Sequence, residues 1–292
     1  MSTPPRRHLF VAALVRALVA LARALPPAVA VRAGACVGVV AWALSAPLRA
    51  LGDANLARVF PHWTQKERAR TLRACARWLG AAGAEALAVA YGQRHPLACV
   101  GVSPAAREAL APCPRGIVLA TGHLGNWELL GAVLAALGHE THAVVRRPRN
   151  EGVAGLVTSL RARMGFREIP RGPHAALHAA RALRRGGVVG LLCDQASDQS
   201  SAWVPFLGSP APTPLGPALL ARRTGAALVV AWLHREGPFR YTLECARVDA
   251  GTDDTVTMTE VNDLLGVAIR ARPEAWVWFH TRWTAPPRPA PR

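Results

Sequence analysis

Lysine is almost absent from this chain of 292 residues. Lys66 is the only lysine among 35 basic residues, which leaves 35 − 1 = 34 arginines. A P-loop for nucleotide phosphates needs a lysine after its glycines, and a Schiff-base enzyme needs a buried lysine. Lys66 lies in Thr-Gln-Lys-Glu and fits neither requirement, so both classes of chemistry are excluded.

Paired cysteines and a serine nucleophile motif are also lacking. No two of the six cysteines form a Cys-x-x-Cys pair, which disfavours a zinc ribbon or a disulfide scaffold and indicates reduced thiols in the cytosol. There is no Gly-x-Ser-x-Gly segment, so a serine hydrolase is disfavoured. His174 and His178 have the spacing of helical zinc ligands, but no Glu follows His174, and no metal site is predicted.

Acidic residues are few, because 18 Asp and Glu face 35 Lys and Arg and give a net charge of +17. Hydrophobic residues make up 51% of the chain, which is enough to build a core and excludes a disordered polycation. The positive balance suits an acidic protein partner or a phosphorylated lipid, toward which it would steer encounters. Binding of nucleic acid would rest on the arginine excess alone and is not expected.

A long uninterrupted hydrophobic run is missing at the N-terminus. Arg16 and Arg23 interrupt the apolar stretch from residue 9 to 25, and a second stretch covers 33 to 48. Neither reaches the roughly 20 apolar residues of a confident membrane span. The two arginines lie two turns apart, as in a basic helix among anionic headgroups. We predict a membrane-associating helical segment over 1–50; one marginal span and two helices packed on the domain remain as alternatives.

The next segment is helical up to about residue 95, with a break at Phe60-Pro61. Thr64 and Glu67 have the spacing of a capping box that opens a helix. One face of this helix carries a basic stripe, which is either a solvated surface or a docking site for an acidic partner or a lipid phosphate. Its members are Lys66, Arg70, Arg73 and Arg77.

From Ile117 onward, short β-rich runs alternate with helical stretches. This alternation predicts an α/β domain over 51–285 with a mixed, partly parallel sheet. A last helix is predicted from a capping box at Thr257 and Glu260 up to Pro273, and a disordered tail over 286–292. The predicted strands are 117–121, 142–146, 188–193, 227–233 and 241–246, and the predicted helices between them are 126–138, 151–165, 174–185 and 215–224.

The most informative segment is a hydrophobic strand that ends in Gly122-His123 and is followed by a helix. Substrates of α/β proteins bind beyond the carboxyl ends of the strands. Glu128, in the first turn of the helix, could contact one ring nitrogen of His123 and leave the other to accept a proton from a hydroxyl. This pattern predicts a general-base pair. Asp194 follows another apolar strand, while the adjacent Cys193 thiol is predicted to be buried and inert, which favours direct transfer over a covalent acyl-enzyme.

The segment Thr-Gly-His-Leu-Gly-Asn-Trp-Glu resembles the His-x4-Asp/Glu motif of the lysophospholipid and glycerolipid acyltransferase superfamily, and more closely its lipid A late acyltransferases, the lauroyl and myristoyl transferases. The resemblance extends over about 50–285 and implies a glycerolipid-acyltransferase-like α/β fold. Further matching segments are Asn55-Leu56 with Phe60-Pro61, Arg147-Pro148 with 160–165, Asp194-Gln195 with 204–208, and 272–283.

The resemblance implies that His123 is the base and Glu128 its orienting partner, with Arg161 and Asp194 as further active-site members. Arg161 would hold a phosphate or stabilise the developing oxyanion. Substrate-binding roles are assigned to Asn126, Arg147 and Arg163. Trp276, Trp278 and Trp283 in the closing segment are either an interface belt at the membrane or core residues.

The resulting hypothesis is an O-acyltransferase at the cytoplasmic face of the inner membrane. It would move a fatty acyl chain from acyl carrier protein to a hydroxyl of a lipid A precursor, with the thioester as co-substrate and no other cofactor. An alternative enzyme would use acyl-CoA and acylate a phosphatidylinositol mannoside or a lysophospholipid. A non-catalytic basic protein that binds nucleic acid or anionic membranes is a third reading, for which replacement of His123 would have no effect.

Overall fold

The fold was taken from a computed structural model that describes residues 6–196 and 201–283. It is an α/β fold with two sheets. The helices are α1 (Arg6–Ala24), α2 (Pro27–Leu44), α3 (Ala46–Val59), α4 (Gln65–Ala90), α5 (Pro96–Cys99), α6 (Pro104–Ala109), α7 (Trp127–Ala136), α8 (Glu151–Arg163), α9 (Ala175–Arg184), α10 (Gly216–Thr224) and α11 (Asp254–Ala271), followed by a 3-10 turn at Pro273–Ala275. The strands are β1 (Val100–Val102), β2 (Ile117–Thr121), β3 (Thr141–Val145), β4 (Arg167–Pro170), β5 (Val188–Leu192), β6 (Ser201–Phe206), β7 (Ser209–Pro214), β8 (Ala227–Gly237) and β9 (Arg240–Val248).

The main sheet has seven strands in the order β1-β9-β8-β2-β5-β3-β4. Within it, β8 and β9 pair antiparallel, and the other neighbouring strands described by the structure pair in parallel. The central strand β2 is buried along its whole length, because helices cover both faces of the sheet. The predicted mixed, partly parallel α/β fold is therefore confirmed.

The five predicted strands and the helices between them are present, but the pattern missed four further strands. Strands β1 and β4 are only 3 and 4 residues long, which is too short for a period-two signal. The hairpin of β6 and β7 contains four prolines, which normally argue against a strand. Helix α11 begins at Asp254 rather than after Thr257, because the Asp253 carboxylate caps it by accepting hydrogen bonds from the N–H groups of Thr255 and Val256.

Helices α2 and α4 pack backbone against backbone through glycines. A Cβ atom on Gly80 would lie 2.0 Å from the carbonyl oxygen of Gly34, and one on Gly38 would lie 2.1 Å from that of Ala76. Gly34 and Gly38 have the small-xxx-small spacing that allows such close helix contacts. Among the described helices, α2 is the one long and apolar enough, by length and composition, to cross a membrane. The predicted break before α4 and the capping box of Thr64 and Glu67 are confirmed.

Helix α1 lies against α4 and α8 and leaves an apolar side exposed. Asn150 donates a hydrogen bond to the carbonyl of His8 (2.8 Å), which ties α8 to α1. The Arg23 guanidinium lies over the Tyr91 ring at 4.2 Å. Arg16 and Arg23 are both exposed, and their contact with anionic headgroups stays a prediction. The predicted tail at 286–292 lies outside the described residues. Exposed large apolar side chains of α1 and α2 include Leu9, Phe10, Leu14, Leu18, Leu21, Val37, Val40 and Leu44.

Candidate active site

The turn after β2 is fixed at both ends. Asn126 caps α7, with its side-chain oxygen accepting from the Leu129 N–H (3.1 Å) and its amide donating to the Ala82 carbonyl of α4 (3.0 Å). Because Asn126 is buried and engaged at both side-chain atoms, the substrate-binding role predicted for it is wrong. It sets the position of the turn that carries His123.

The same turn is tied to the closing segment of the chain. The Gly125 N–H donates to the Ala275 carbonyl (3.1 Å), and the Val277 N–H donates to the His123 carbonyl (3.2 Å). Gly125 has a φ of +64°, and a Cβ atom there would lie 2.0 Å from the carbonyl oxygen of Leu233. Both the left-handed backbone and the close approach to β8 therefore require glycine.

Replacing Gly125 by alanine is expected to lower the free energy of unfolding by at least about 2 kcal/mol, since a left-handed alanine is strained and its methyl group overlaps a fixed backbone oxygen. Chemical denaturation measures this. Gly83→Ala is the matched control, because Gly83 lies inside α4 with nothing within 4 Å of its added Cβ. It should stabilise the protein by about 0.5–1 kcal/mol; equal destabilisation by both changes would contradict the steric argument.

Asp194 holds the catalytic candidate His123. One carboxylate oxygen accepts from the ring Nδ1 of His123 (2.9 Å), and the other accepts from the His123 backbone N–H (2.7 Å). Trp276 donates its indole N–H to the second oxygen (2.7 Å). Asp194 is fully buried, whereas the His123 side chain is 26% exposed, so the ring is anchored from inside and accessible from outside.

These contacts determine the tautomer of His123. Burial acts to raise the pKa of Asp194, but the charge of His123 and the hydrogen bonds from His123 and Trp276 outweigh it and hold that pKa below its ordinary value. An ionised carboxylate can only accept, so Nδ1 carries the proton. In the neutral imidazole the other ring nitrogen, Nε2, has a free lone pair and is the atom that can act as a base.

Three residues around this pair were not predicted as site members. Gly122 lets Asp194 approach, because a Cβ atom there would lie 3.0 Å from the carboxyl carbon. Trp276 is buried and hydrogen-bonded to Asp194, so of the two alternatives for the closing tryptophans the core position is correct for it. Asn55 donates to the carbonyls of Trp278 (2.7 Å) and His280 (2.8 Å) and so anchors the closing segment. Asn55 and Trp276 stood in matched motifs, but no sequence pattern gave their contacts.

Glu128 contacts Arg161 instead of the histidine. Arg161 donates through Nε to one oxygen of Glu128 (2.9 Å) and through Nη2 to the other, and through Nη1 to Glu168 (2.6 Å). Burial acts to lower the pKa of Arg161, and the two carboxylates outweigh it and raise that pKa. The sequence-based pairing of His123 with Glu128 is therefore wrong: in the fold, Asp194 takes the ring nitrogen. Arg161 joins α7, α8 and β4, and its guanidinium is already engaged by two carboxylates rather than free for an oxyanion.

The two other predicted binding arginines lie on the surface. Arg147 is exposed in the loop before α8, within 3.6 Å of Glu151, the first residue of that helix. Arg163 is also exposed and lies over the Tyr91 ring at 5.1 Å, on the ring that Arg23 contacts as well. Neither is brought to the His123–Asp194 pair by a contact in the described part of the chain.

Cys193, next to Asp194, has the properties predicted for it. It is fully buried, its thiol donates to the Thr121 carbonyl (3.3 Å), and burial raises its pKa to about 12. A thiol of this kind is a poor nucleophile. Within residues 6–196 and 201–283, no group of three or more His, Cys, Asp or Glu side chains is arranged to hold a metal ion.

Two cavities lie at the carboxyl edge of the sheet, on either side of the turn. The first, of about 480 Å³, lies beyond β3 and β5 and is lined mainly by apolar side chains, among them Val144, Ala176, Leu191, Leu192 and Leu220. The second, of about 590 Å³, lies between α2, α4, the β8–β9 hairpin and the end of α11, and it includes Leu124 and charged side chains. We call them the apolar cavity and the charged cavity.

A family model described as bacterial lipid A biosynthesis acyltransferase matches residues 3–285. The chain belongs to this family. Similar curated proteins are the phosphatidylinositol mannoside acyltransferases of two Mycobacterium tuberculosis strains, H37Rv and CDC 1551, each 30% identical over 176 residues, or 58% of this chain and 55% of the relative. The Mycolicibacterium smegmatis protein of the same name is 28% identical over 177 residues, 59% of this chain and 58% of the relative.

Membership of the lipid A biosynthesis acyltransferase family confirms the resemblance found in the sequence motifs. The chain spans about half the length of the curated relatives it matches. The substrates in the relatives' names correspond to the alternative enzyme of the sequence analysis rather than to its main hypothesis.

Proposed function

We propose that this protein is an O-acyltransferase that moves a fatty acyl group from a thioester to a hydroxyl of an anionic glycolipid. The observation that carries the proposal is the His123–Asp194 pair, in which a fully buried carboxylate anchors a partly exposed imidazole. This is the arrangement of a general base whose tautomer is fixed by a carboxylate hydrogen-bonded to its inner ring nitrogen. Its position beyond the carboxyl end of a central parallel strand is where α/β proteins place reactive groups.

In the proposed reaction, Nε2 of His123 takes the proton of the acceptor hydroxyl while the hydroxyl oxygen attacks the thioester carbonyl. The tetrahedral intermediate collapses, the carbon–sulfur bond breaks and an ester forms. The proton on Nε2 passes to the leaving thiolate, which restores the neutral imidazole. Asp194 stabilises the transient imidazolium by its negative charge. The buried Cys193 thiol takes no part, so transfer is direct.

The apolar cavity is proposed to hold the acyl chain. It begins at Leu192, two residues before Asp194, and its walls come from β3, β5, α9 and α10. An apolar chain gains about 0.8 kcal/mol for each CH₂ that leaves water. The depth of this cavity would therefore select the chain length of the donor.

Ala176→Phe is expected to shift the preferred donor to shorter chains. Ala176 lines the cavity, and filling the space of about two methylenes would lower kcat/KM for a hexadecanoyl donor roughly 15-fold while sparing an octanoyl donor. Leu177→Phe, on the exposed neighbouring position outside the lining, is the control. Competition between the two donors measures the ratio. An unchanged ratio in Ala176→Phe would show that the chain binds elsewhere.

The exposed apolar side of α1 and α2 is proposed to rest on a membrane. Six large apolar side chains of α1 and four of α2 are exposed (Leu9, Phe10, Val11, Leu14, Leu18, Leu21, Val29, Val37, Val40 and Leu44). A patch of this kind on a protein of net charge +17 favours an anionic lipid surface. Lipid acceptors would reach the site from that surface. The inner membrane and its cytoplasmic face remain our expectation.

Two acceptors are compatible with this site. The names of the curated relatives favour a phosphatidylinositol mannoside, and the family model favours a lipid A precursor. We favour the phosphatidylinositol mannoside, because its support comes from alignments to individual proteins. The donor is acyl-CoA or acyl carrier protein; the net charge of +17 suits both the phosphates of CoA and the acidic surface of the carrier protein.

The experiment is a two-by-two assay followed by mass spectrometry. The purified full chain is incubated with phosphatidylinositol mannoside or tetra-acylated, Kdo-modified lipid A precursor, each with hexadecanoyl-CoA or the carrier-protein thioester. Addition of one acyl mass to a single acceptor, absent in the His123→Ala variant, would identify the substrate pair. Transfer to neither acceptor, with a lysophospholipid also unchanged, would refute the proposal.

A further inference from the structure

The charged cavity begins directly beside the catalytic turn. Leu124, which follows His123 in the chain, lines it, and so does Ala275, whose carbonyl accepts the Gly125 N–H (3.1 Å). A molecule in this cavity of about 590 Å³ would therefore lie against the peptide that carries the base. The apolar cavity lies on the other side of the turn, so the charged cavity is separate from the proposed acyl site.

Two arginines on the helical wall of this cavity are uncommitted. Arg32 comes from α2 and Arg77 from α4, and both are exposed. In the described ranges of the chain, no ion pair, hydrogen bond or ring contact involves either of them. A third, Arg272, is 3.9 Å from Glu274. Guanidinium groups with free donors that converge on one cavity are suited to a phosphate.

The basic stripe of α4 ends at this cavity. Lys66, Arg70, Arg73 and Arg77 are all exposed, and Arg77 is the member that lines the charged cavity. The sequence left two alternatives for the stripe, a solvated surface or a docking site. The position of Arg77 in the wall of a cavity favours the docking site for this last member. Arg70 and Arg73 lie outside the lining and provide a matched comparison of equal charge.

The wall formed by the β8–β9 hairpin carries two exposed carboxylates beside Arg235, whose guanidinium is paired with the buried Glu85 (3.0 Å). Glu236 and Glu244 belong to the β8–β9 hairpin, and both side chains are exposed. Glu236 also accepts a hydrogen bond from the Thr242 hydroxyl (2.5 Å). Carboxylates accept hydrogen bonds from hydroxyl groups, and the indoles of Trp78 and Trp232 add apolar surface. A ligand that combines one phosphate with several hydroxyls matches both walls, whereas an acyl chain or a bare phosphate matches only part of the cavity.

The cavity also lies next to the proposed membrane surface. Helix α2 contributes Val31 and Arg32 to the lining, while Val37 and Val40 of the same helix are exposed apolar residues. A lipid whose chains remain in the membrane could therefore place its headgroup in this cavity. The hydroxyls of that headgroup would be next to the turn that carries His123.

We propose that the charged cavity binds a phosphorylated polyol or sugar headgroup, with Arg32 and Arg77 on the phosphate and Glu236 and Glu244 on the hydroxyls. Its assignment as the acceptor site rests on the proposed function. The shared chemistry is a phosphate with hydroxyls, which could come from a membrane glycolipid or from a free sugar phosphate.

Binding is measured by calorimetry on the full chain with four probes: inorganic phosphate, inositol, glycerophosphoinositol, and phosphatidylcholine vesicles containing phosphatidylinositol. Arg32→Gln with Arg77→Gln should weaken binding of glycerophosphoinositol at least about tenfold, since each charged hydrogen bond contributes that much. Arg70→Gln with Arg73→Gln, which removes the same charge, should change it less than twofold. Glu236→Gln with Glu244→Gln should weaken it several-fold and leave binding of inorganic phosphate unchanged.

If the two arginine double variants lost the same affinity for glycerophosphoinositol, the proposal would be overturned, because the effect would then come from the overall charge of the protein. Binding of inorganic phosphate as tight as that of glycerophosphoinositol would overturn the role of the hydroxyls. Binding of inositol alone with equal affinity would overturn the role of the phosphate and its two arginines. Tighter binding to the vesicles than to the soluble headgroup, lost in the Arg32→Gln, Arg77→Gln variant but kept in the Arg70→Gln, Arg73→Gln variant, would identify the membrane lipid as the source. Absence of binding to both would overturn the site.

The His123→Ala variant separates this proposal from the proposed function. It should bind glycerophosphoinositol as the native protein does, because His123 is outside the lining. If the native protein binds the headgroup but transfers no acyl group to any acceptor, the proposed function fails and the binding site stands. If transfer occurs and KM for the glycolipid is the same in the Arg32→Gln, Arg77→Gln variant, the acceptor role of the cavity fails alone.

Discussion

Replacing His123 by alanine is expected to lower kcat for acyl transfer by about 10² to 10⁴. The imidazole is the group that would take the proton of the acceptor hydroxyl, and without it the hydroxyl must attack the thioester in its neutral form. KM for both substrates should change little, because the proposed acyl and headgroup cavities are lined by other residues. Steady-state kinetics with the acceptor found by mass spectrometry measures both constants.

The variant should fold. Asp194 would lose the ring of residue 123 but keep two donors, the backbone N–H of residue 123 and the indole of Trp276. His174→Ala is the matched control, since His174 is exposed at the start of α9, and its side chain makes no capping hydrogen bond there. It should retain native kcat. Native transfer by His123→Ala, with a native thermal midpoint, would remove His123 from the mechanism.

Asp194→Asn is expected to lower kcat by about 10³ to 10⁴, while Glu128→Gln should lower it only a few-fold. The asparagine oxygen can still accept hydrogen bonds from the backbone N–H of His123 and from the Trp276 indole. The asparagine NH₂ group then lies against the ring Nδ1 of His123. That group donates, so the imidazole must carry its proton on Nε2 and can no longer act as a base. Glu128→Gln leaves the His123 ring contact with Asp194 intact.

The two variants should also differ in stability. Glu128→Gln weakens the hydrogen bonds of Arg161, so we expect a loss of about 1–2 kcal/mol in the free energy of unfolding, measured by denaturant titration. Arg161→Lys should lose a similar amount, because a single ammonium cannot bridge Glu128 and Glu168 as the guanidinium does. If Glu128→Gln reduced kcat as severely as Asp194→Asn, the pairing inferred from the motif would be restored.

The comparison of Glu128 with Asp194 shows how far local spacing can be used. His123 and Glu128 lie five residues apart across a turn and the start of a helix, and this spacing made them a plausible pair. Their actual partners come from elsewhere in the chain: Asp194 is 71 residues from His123, and Arg161 is 33 residues from Glu128. Strands β2 and β5 are parallel neighbours, with Thr121 beside Leu192. His123 and Asp194 each lie two residues beyond this pair, so the register brings them together.

Asn126 and Arg161 illustrate the same difficulty. A polar residue within a matched motif is easily read as a ligand for the substrate. Asn126 instead caps α7 and ties it to α4, and Arg161 joins two carboxylates. Both are satisfied by protein groups, which only a full account of hydrogen-bond partners can establish.

The sequence by itself determined the central strands, the helices that follow them, the capping box of α4 and the turn that presents His123, because each depends on local periodicity, capping or turn chemistry. It also determined the family, through motifs that occur together over most of the chain. The tertiary structure alone decided that Asp194 anchors His123 and that Arg161 forms an ion pair with Glu128. It likewise decided that arginines of α2 and α4 converge on one cavity. Contacts between distant segments depend on strand order and helix packing, and no local pattern contains that information.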